Sequence, residues 1–479
     1  MNPRLQTADP SDLHWTTLQR TEVADKIRGI LFGAALGDAI GLATEFLTRE
    51  ESLHVYGPEH PTFAFGDDAT LPNAVPFLVD PHRARWKVGD FTDDTDQQLL
   101  ILLSFLRSGG TRIKPNDFAK RLQMWVKQGL RCLDKPPCGI GQTTWNIVTA
   151  EGYAKDPCGT ARRYWERMGR KVAPNGAVMR TAIIGALLAP KGAEAVRAAT
   201  DALARTTHAD PRCVTRCVIV TSLIQRILSG TAPNTDLLRD VVNASVGSPE
   251  EHHQEDDEVD RTGNEADRSK KRKCGISHEK VPKKPKLERV ADPVRTNILC
   301  GICDAAKSEL LRFCFPSTLE ILQLDDEDGI GYTYRTLGSG LWALSQLLNC
   351  LTTNPSASPA STFKSLITEL TIQGGDADTN CAVAGALMGA VVGYSGLPKE
   401  WLKGLIHHHW LLGKVNAALE LMGVLEGARY RWDEDDDTLV DGGKGLRSEE
   451  ELDAWQEERD RVVQRLLVVA GRQDNEPFE

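Results

Sequence analysis

Apolar residues recur at helical spacing through most of the chain. Clear examples are residues 118–126, 193–205 and 211–228, in which the apolar positions fall three or four residues apart. Strand signals, meaning short runs of alternating apolar and polar residues, are sparse throughout. The pattern therefore predicts an all-α protein, a helical bundle whose longer loops carry function.

Two of the predicted helices carry rows of small residues. In residues 28–46 the glycines fall every four residues and so lie on one side of a helix: Gly29, Gly33, Gly37 and Gly41. Each glycine costs about 1 kcal/mol of helix stability relative to alanine, so close packing against another backbone is expected to offset it. A second helix, after residue 380, is also rich in Gly and Ala. We predict that the two helices are neighbours at the centre of the bundle; Asp38 interrupts the first and argues against a membrane span.

Segments rich in glycine and proline separate the helices. Residues 47–90 show no sustained period and are predicted to form a long surface loop, a kind of segment that often carries function. Residues 136–144 and 172–180 each contain a glycine turn that leads into a helix. The amide groups at the start of such a helix can bind an anion such as phosphate, although most Asn-Gly turns are only turns.

Two acidic clusters precede apolar helical runs, at residues 91–97 (FTDDTDQ) and 374–380 (GGDADTN). A single Asp or Thr at such a place can cap the helix, which is the simpler interpretation for either cluster alone. Two clusters, each with more carboxylates than a cap needs, favour a metal site formed by both. Oxygen ligands at this density suit Mg²⁺, Mn²⁺ or Ca²⁺ rather than zinc, and two clusters can hold a pair of ions.

Composition narrows the classes of function. A hydrophobic content of 41% with 26% charged residues predicts a globular protein with a real core. The formal net charge of −10 disfavours a surface that coats nucleic acid. Among the 11 cysteines, Cys300 and Cys303 form a Cys-x-x-Cys pair without a second pair at zinc-ribbon spacing. Residues 1–28 lack the apolar run of a signal peptide, so a reduced, intracellular protein is expected.

One segment departs from globular composition. Between about residues 248 and 293, an acidic block gives way to two basic clusters, from Lys270 to Lys273 and from Lys283 to Lys286. With few large apolar residues, this segment cannot offset its chain entropy by burial, and we predict a disordered insertion. The basic clusters resemble a bipartite nuclear localisation signal; a solvated run of charges is the alternative.

Four motifs, in this order, resemble the ADP-ribosylglycohydrolases, also called ADP-ribosyl-acceptor hydrolases, a family that includes the dinitrogenase reductase-activating glycohydrolase. The motifs are Gly37-Asp38-Ala39-Ile40-Gly41 followed by Glu45, Thr92-Asp93-Asp94, Asn175-Gly176-Ala177-Val178-Met179-Arg180, and Gly375-Asp376-Ala377-Asp378-Thr379-Asn380. The predicted organisation is a polar N-terminal tail (1–25), a catalytic domain (26–425) interrupted by the charged insertion, and a charged C-terminal extension (426–479) with a peripheral helix over 448–469.

The resemblance implies a compact orthogonal helical bundle with a binuclear metal centre at helix N-termini, which holds two Mg²⁺ or two Mn²⁺ ions. The implied metal ligands are Thr92, Asp93, Asp94, Asp376, Asp378 and Thr379. Glu45 takes the family's catalytic position as general acid or base, on a mobile loop at the end of the glycine-rich helix, and Asp38 is a supporting polar residue. The implied substrate-binding residues, in turns that face the diphosphate and adenosine, are Gly139, Gly141, Thr143, Asn175, Gly176, Ala177 and His208.

The resemblance leaves three functions open. The first is an enzyme that removes ADP-ribose from protein Ser or Arg or from poly(ADP-ribose), in the nucleus if the basic clusters act as a signal. The second is a hydrolase of a small metabolite such as O-acetyl-ADP-ribose, and the third is a module that binds ADP-ribose without turnover. The complete set of implied ligands and the presence of Glu45 favour turnover. The expected partner is an ADP-ribosylated protein or polymer, bound by a monomer without direct contact to nucleic acid or membrane.

Overall fold

The computed structural model describes residues 17–57, 78–246, 304–426 and 430–473. Within these ranges the regular elements are helices, joined by turns and two isolated β-bridges, which confirms the all-α prediction. The α-helices are α1 (Thr17–Gly41), α2 (Arg49–Tyr56), α3 (Asp93–Arg107), α4 (Pro115–Gln128), α5 (Gln142–Val148), α6 (Pro157–Arg167), α7 (Val178–Leu187), α8 (Ala193–Ala204), α9 (Pro211–Leu228), α10 (Thr235–Val246), α11 (Asp304–Cys314), α12 (Thr333–Thr353), α13 (Pro359–Thr371), α14 (Ala377–Val392), α15 (Lys399–Gly404), α16 (His408–Leu421) and α17 (Glu449–Gln473).

The two glycine-rich helices, α1 and α14, form the central pair, as predicted. Their backbones approach so closely that a Cβ on Gly33 would overlap the carbonyl oxygen of Gly385, and a Cβ on Gly37 would overlap that of Cys381. Even an alanine at either place would force the helices apart. Van der Waals contact between the two backbones offsets the low helix propensity of the glycine row. The close approach also brings the C-terminal end of α1 against the N-terminal end of α14.

The larger of two hydrophobic clusters in the described residues surrounds this pair. Fully buried side chains from five helices belong to it: Ile30 of α1, Leu99 of α3, Ile183 of α7, Val220 of α9 and Leu387 of α14. Helices α3, α7, α9 and α12 all contact α14. Because α3 and α14 share this core, their N-termini, which carry the acidic clusters, can meet on one side of the bundle.

The structure corrects two boundaries. Helix α1 begins at Thr17, so that residues 17–25, predicted as part of a polar tail, are helical. The prediction of an irregular loop over residues 47–90 is wrong in part, because α2 lies within it. A capping box starts this helix: Thr48 accepts a hydrogen bond from the amide of Glu51, whose carboxylate accepts one from the amide of Thr48. The Thr-x-x-Glu spacing of Thr48 and Glu51 indicates a helix start here, which the spacing of apolar residues alone does not indicate.

The segment before α17 is tied to the bundle. Lys414 of α16 binds the Asp435 carboxylate, and Arg121 of α4 donates a hydrogen bond to the carbonyl of Thr438 at 2.7 Å. Helix α17 then lies beside residues 83–85, and Arg459 donates a hydrogen bond to the sulfur of Cys138 at 2.7 Å. The predicted helix over 448–469 is present, and this extension contacts the bundle near the candidate site.

Several sequence predictions concern residues outside the described ranges. They are the tail up to residue 16, part of the 47–90 segment, the charged insertion with the basic clusters at 270–273 and 283–286, and Cys300 with Cys303. Among the helices that the structure describes, none combines the length and the apolar character that a membrane crossing requires.

Candidate active site

The N-termini of α3 and α14 bring the two acidic clusters together. Thr92, the cap of α3, has its hydroxyl 3.3 Å from a carboxylate oxygen of Asp94 and 3.3 Å from one of Asp378. Across the same contact, the Thr379 hydroxyl donates to Asp94 at 3.1 Å. Clusters that are 280 or more residues apart in sequence thus form one centre, and both helix dipoles direct their positive ends towards it.

Asp38 of α1 holds the first cluster in place. Its carboxylate accepts hydrogen bonds from the Thr92 amide at 2.9 Å, from the Thr95 amide at 3.0 Å and from the Thr95 hydroxyl at 2.6 Å. The side chain is fully buried, and burial raises the pKa of Asp38 to about 6 despite these donors. Asp38 therefore acts on the orientation of α3, which is consistent with the supporting role implied above.

Glu45 lies in the turn that follows α1, against the second cluster. One oxygen each of Glu45, Asp376 and Asp378 lies within 4.8 Å of the others. The turn is paired with the start of α14 through its main chain: the Phe46 amide donates to the Gly375 carbonyl at 2.7 Å, and the Gly375 amide donates to the Leu47 carbonyl at 2.8 Å. These bonds, together with the burial of Glu45, describe a turn that is held in place rather than a free loop.

Burial and mutual repulsion dominate the electrostatics of this centre. Burial, and secondarily the neighbouring carboxylates, raise the pKa values of Asp93, Asp94 and Asp378 well above their ordinary range. Burial raises the pKa of Glu45 as well, although His82 opposes this shift. A cation among these groups would remove both penalties, because it favours the charged form of every carboxylate.

One orphaned atom supports a bound cation. Asp94 Oδ1 is buried and has no hydrogen-bond partner among the described residues, which is costly for a carboxylate oxygen unless a cation or a proton compensates it. The surrounding donors are carboxylate and hydroxyl oxygens, the ligands of hard divalent ions. The acidic cluster therefore fits a metal ion, and the group that could hold one consists of Glu45 with Asp376 and Asp378. Only the last two belong to the set that the resemblance implies, which also contains Thr92, Asp93, Asp94 and Thr379.

Asn175, expected to bind substrate, contacts the acidic cluster itself. Its side-chain amide donates to Asp376 at 2.7 Å and to the Thr336 hydroxyl at 2.9 Å, and its main-chain amide donates to the Gly331 carbonyl at 2.9 Å. Both side-chain hydrogens are therefore used within the protein. In this arrangement Asn175 orients Asp376.

The other predicted substrate residues lie in the turns around Asp93 and His208. Gly139 has a φ of +85°, and a Cβ there would overlap the carboxylate of Asp93. Gly141 caps α5 and faces open space, and Thr143 follows in the first turn of α5.

Gly176 packs on His208, whose Cε1 lies 3.1 Å from where a Cβ on Gly176 would be, and Ala177 caps α7 and is buried. Thr143 and His208 line one small cavity between α5 and α9.

A buried chain of hydrogen bonds joins His208 to Asp93 in the acidic centre. His208 Nδ1 lies 2.7 Å from the Thr207 hydroxyl, to which Arg180 donates at 2.6 Å. Arg180 also donates to Gln97 at 2.7 Å, and Gln97 donates to Asp93 at 2.9 Å. Burial, with the Arg180 charge in second place, lowers the pKa of His208 well below its ordinary value and so favours the neutral ring. His208 Nε2 is buried and has no partner in the part of the chain that the structure describes.

Sequence reasoning missed several members of this site. Gln97 lies one helical turn after Asp93, a spacing that predicts contact between their side chains. Arg180 is the last residue of the motif that begins at Asn175, and the sequence pattern indicates no function for it. His82, whose Nε2 lies 2.6 Å from Glu45 Oε2, falls in the segment predicted to be a surface loop, and no local pattern identifies it.

Comparison with known proteins places the chain in a family. A sequence model of the ADP-ribosylglycohydrolase family matches residues 19–430. The chain is similar to an ADP-ribosylarginine hydrolase, Tri1, of Serratia proteamaculans, at 24% identity over 81% of this chain and 77% of the relative. It is also similar to the ADP-ribosyl-[dinitrogen reductase] glycohydrolase of Rhodospirillum rubrum, at 23% identity over 80% of this chain and 91% of the relative. A solved ADP-ribosylglycohydrolase-related protein complex aligns with a TM-score of 0.47 at 22% identity, over 84% of this chain and 99% of that one. The chain belongs to the ADP-ribosylglycohydrolase family and is an enzyme of the glycohydrolase class.

Proposed function

We propose that this protein uses divalent cations to hydrolyse the glycosidic bond between ADP-ribose and an acceptor on a protein, with arginine as the first acceptor to test. The observation that carries the proposal is the joining of two acidic helix N-termini with Glu45 in one buried centre. The choice of arginine rests on the relative named as an ADP-ribosylarginine hydrolase.

The reaction breaks the bond between the anomeric carbon of the distal ribose and the acceptor, and forms a bond from that carbon to a water oxygen. Positive charge develops on the ribose in the transition state, and in this proposal the carboxylates of Asp94, Asp376 and Asp378 stabilise it. A bound cation supplies Lewis acidity towards the ribose hydroxyls and water.

Glu45 is the proton-transfer group of this proposal. Its raised pKa, caused by burial, brings it closer to neutral pH, where a general acid or base works best. As a base it takes one proton from the attacking water, and the leaving acceptor gains one proton in exchange, so that the reaction consumes one water. Asp38 takes no part in this transfer, because its two oxygens are bound to Thr92 and Thr95.

The test is ADP-ribose release from four substrates: proteins modified on arginine, proteins modified on serine, poly(ADP-ribose), and O-acetyl-ADP-ribose. Each is incubated with the full-length protein in Mg²⁺, in Mn²⁺ and in EDTA, and free ADP-ribose is measured. Release that is lost in EDTA and restored by the cation supports the proposal, and the substrate that is cleaved names the acceptor. Release in EDTA at the same rate would contradict the role of the cation. Binding of ADP-ribose without release from any substrate would favour the binding module instead.

A further inference from the structure

Residues 80–86, which we call the clamp segment, hold the turn that carries Glu45. Arg83, whose side chain is 2% exposed, donates to the Ala43 carbonyl at 2.8 Å and to the Glu45 carbonyl. The carboxylate of Asp80 forms an ion pair with the same guanidinium. The buried Arg83 guanidinium thus binds carbonyl groups of the turn on both sides of residue 44. These contacts with the clamp segment fix the backbone position of Glu45.

The same segment holds the Glu45 side chain. His82 Nε2 lies 2.6 Å from Glu45 Oε2, with 24% of the His82 side chain and 10% of the Glu45 side chain exposed. The His82 ring packs edge-on against two aromatic rings, with centroids 5.0 Å from Phe46 and 5.1 Å from Trp86. These rings restrict the rotation of the imidazole. An ionised carboxylate only accepts hydrogen bonds, so Nε2 carries the proton, as it does in one neutral tautomer and in the protonated ring.

Glu45 needs such a partner because of where it lies. Its carboxylate belongs to a group with Asp376 and Asp378, and like charges at this separation repel one another. The glutamate side chain has three rotatable bonds, so repulsion would drive an unheld carboxylate towards solvent. His82 engages one of the two carboxylate oxygens, and the other stays free for proton transfer or for a cation.

We propose that His82 is a positioning residue for Glu45: through the Nε2 to Oε2 hydrogen bond it keeps the Glu45 carboxylate at the acidic centre during turnover. The inference rests on the proposed function of Glu45. It assigns to the clamp segment a role in the chemical step, because the segment contacts the turn that carries Glu45.

The test compares two variants that separate the hydrogen bond from the ring packing. His82→Phe keeps an aromatic ring against Phe46 and Trp86 but has no donor, whereas His82→Gln loses the ring and can place an amide N–H near the position of Nε2. We expect His82→Phe to lower kcat about tenfold to 100-fold with KM nearly unchanged, the range seen when a partner that orients a functional ligand is removed. His82→Gln should retain most of the activity. His54→Ala, at an exposed histidine on α2, is the matched control and should behave as the wild type.

A kcat of His82→Phe equal to that of the wild type would overturn the inference. So would a loss in His82→Gln as large as in His82→Phe, because ring packing would then explain both. Thermal melting of each variant accompanies the kinetics, and midpoints close to that of the wild type are expected, which separates lost positioning from lost folding.

A second measurement does not depend on turnover. Mg²⁺ is titrated into the metal-free wild type, His82→Phe and His82→Gln by calorimetry. Because Glu45 contributes an oxygen to the acidic group, His82→Phe should bind Mg²⁺ about tenfold more weakly than the wild type, while His82→Gln stays close to it. If the wild type releases ADP-ribose from none of the four substrates, the proposed function fails, but this titration still decides the contact: equal affinities for all three proteins would refute the positioning of Glu45 by His82.

Discussion

The two acidic helix N-termini are alike in composition but are held in different ways. The N-terminus of α3 is fixed by a side chain, because Asp38 accepts three hydrogen bonds from Thr92 and Thr95. The N-terminus of α14 is fixed by main-chain pairing, because Gly375 exchanges hydrogen bonds with Phe46 and Leu47. The second cluster and the Glu45 turn are thus joined through the main chain, whereas side chains hold the first cluster, with Asp38 binding Thr92 and Thr95 and Lys135 binding Asp96. Similar ligands can therefore have unequal tolerance to mutation.

The largest effect is expected when a ligand is lost from either cluster. Asp94→Asn or Asp378→Asn should reduce ADP-ribose release to background, because each removes a charge on which cation binding depends, while the fold is retained. Release is measured with saturating Mg²⁺, and folding by circular dichroism. Asp433→Asn, at an exposed aspartate, is the control expected to keep full activity. Full activity in both Asp94→Asn and Asp378→Asn would refute the metal assignment.

Removing the acid or base function of Glu45 should cost somewhat less. Glu45→Gln should lower kcat by about 10²–10⁴-fold, the usual contribution of a proton-transfer group. ADP-ribose affinity, measured by calorimetry, should stay near that of the wild type, because the amide keeps the size of the side chain and its contact with the paired turn. The assignment fails if binding is lost while turnover per bound substrate is unchanged.

Asp38 offers the sharpest test of the difference between the two clusters. In Asp38→Asn one oxygen can still accept from Thr92, but the new amide N–H₂ group faces the donors of Thr95. We expect a loss of about 1–3 kcal/mol in the free energy of unfolding, as for other buried unmatched polar groups, and a fall in activity of about tenfold or more. Urea denaturation and the release assay measure the two effects.

The counterpart at the second cluster is Asn175→Ala, which removes the donor to Asp376 but leaves the pairing at Gly375 intact. Its effect on activity should be smaller than that of Asp38→Asn. The reverse order would show that side-chain support matters more at α14 than the main-chain pairing does.

The smallest expected effect is on thermal stability. The raised pKa values of Asp93, Asp94 and Asp378 mean that the folded state binds protons more readily than the unfolded state. Their contribution to stability is therefore fully present at low pH and is lost as the pH rises through the folded pKa values. Mg²⁺ takes the place of those protons, so the increase in Tm that it produces should grow as the pH rises through the folded pKa values of these carboxylates.

The change in Tm on adding Mg²⁺ is the quantity to measure, because Tm itself also depends on His208, whose lowered pKa acts on stability in the opposite sense. An increase that shrinks as the pH rises would contradict proton and cation competition at these carboxylates.

The sequence predicted what depends on neighbours along the chain. Helical period identified most helices, with α9 predicted to its ends, and the acidic residues before α3 and α14 were visible as clusters. The glycine rows identified the central pair because a spacing of four residues has a direct geometric meaning on a helix. Such signals depend only on residues that are near one another in sequence, because the helical period relates sequence spacing directly to position on the helix.

The contacts that position the site are not local, and the sequence did not reveal them. Asp38 lies 54 residues from Thr92, and Asn175 lies 201 residues from Asp376. The bond from His82 to Glu45 joins two segments that share no pattern, one of them predicted as a surface loop. A polar side chain shows its type in the sequence but not its partner, because tertiary packing brings the two together.

The close contact of α1 with α14 has a consequence for how the enzyme responds to heat. Side chains at an ordinary helix interface can change rotamers and let the helices drift as the temperature rises. At Gly33 the backbone lies directly against the carbonyl of Gly385, and glycine has no side chain whose rotamers could change. The spacing between Asp38 and the second acidic cluster should therefore stay constant until the central pair separates, so that inactivation on heating coincides with cooperative unfolding and is not preceded by a gradual loosening of the site.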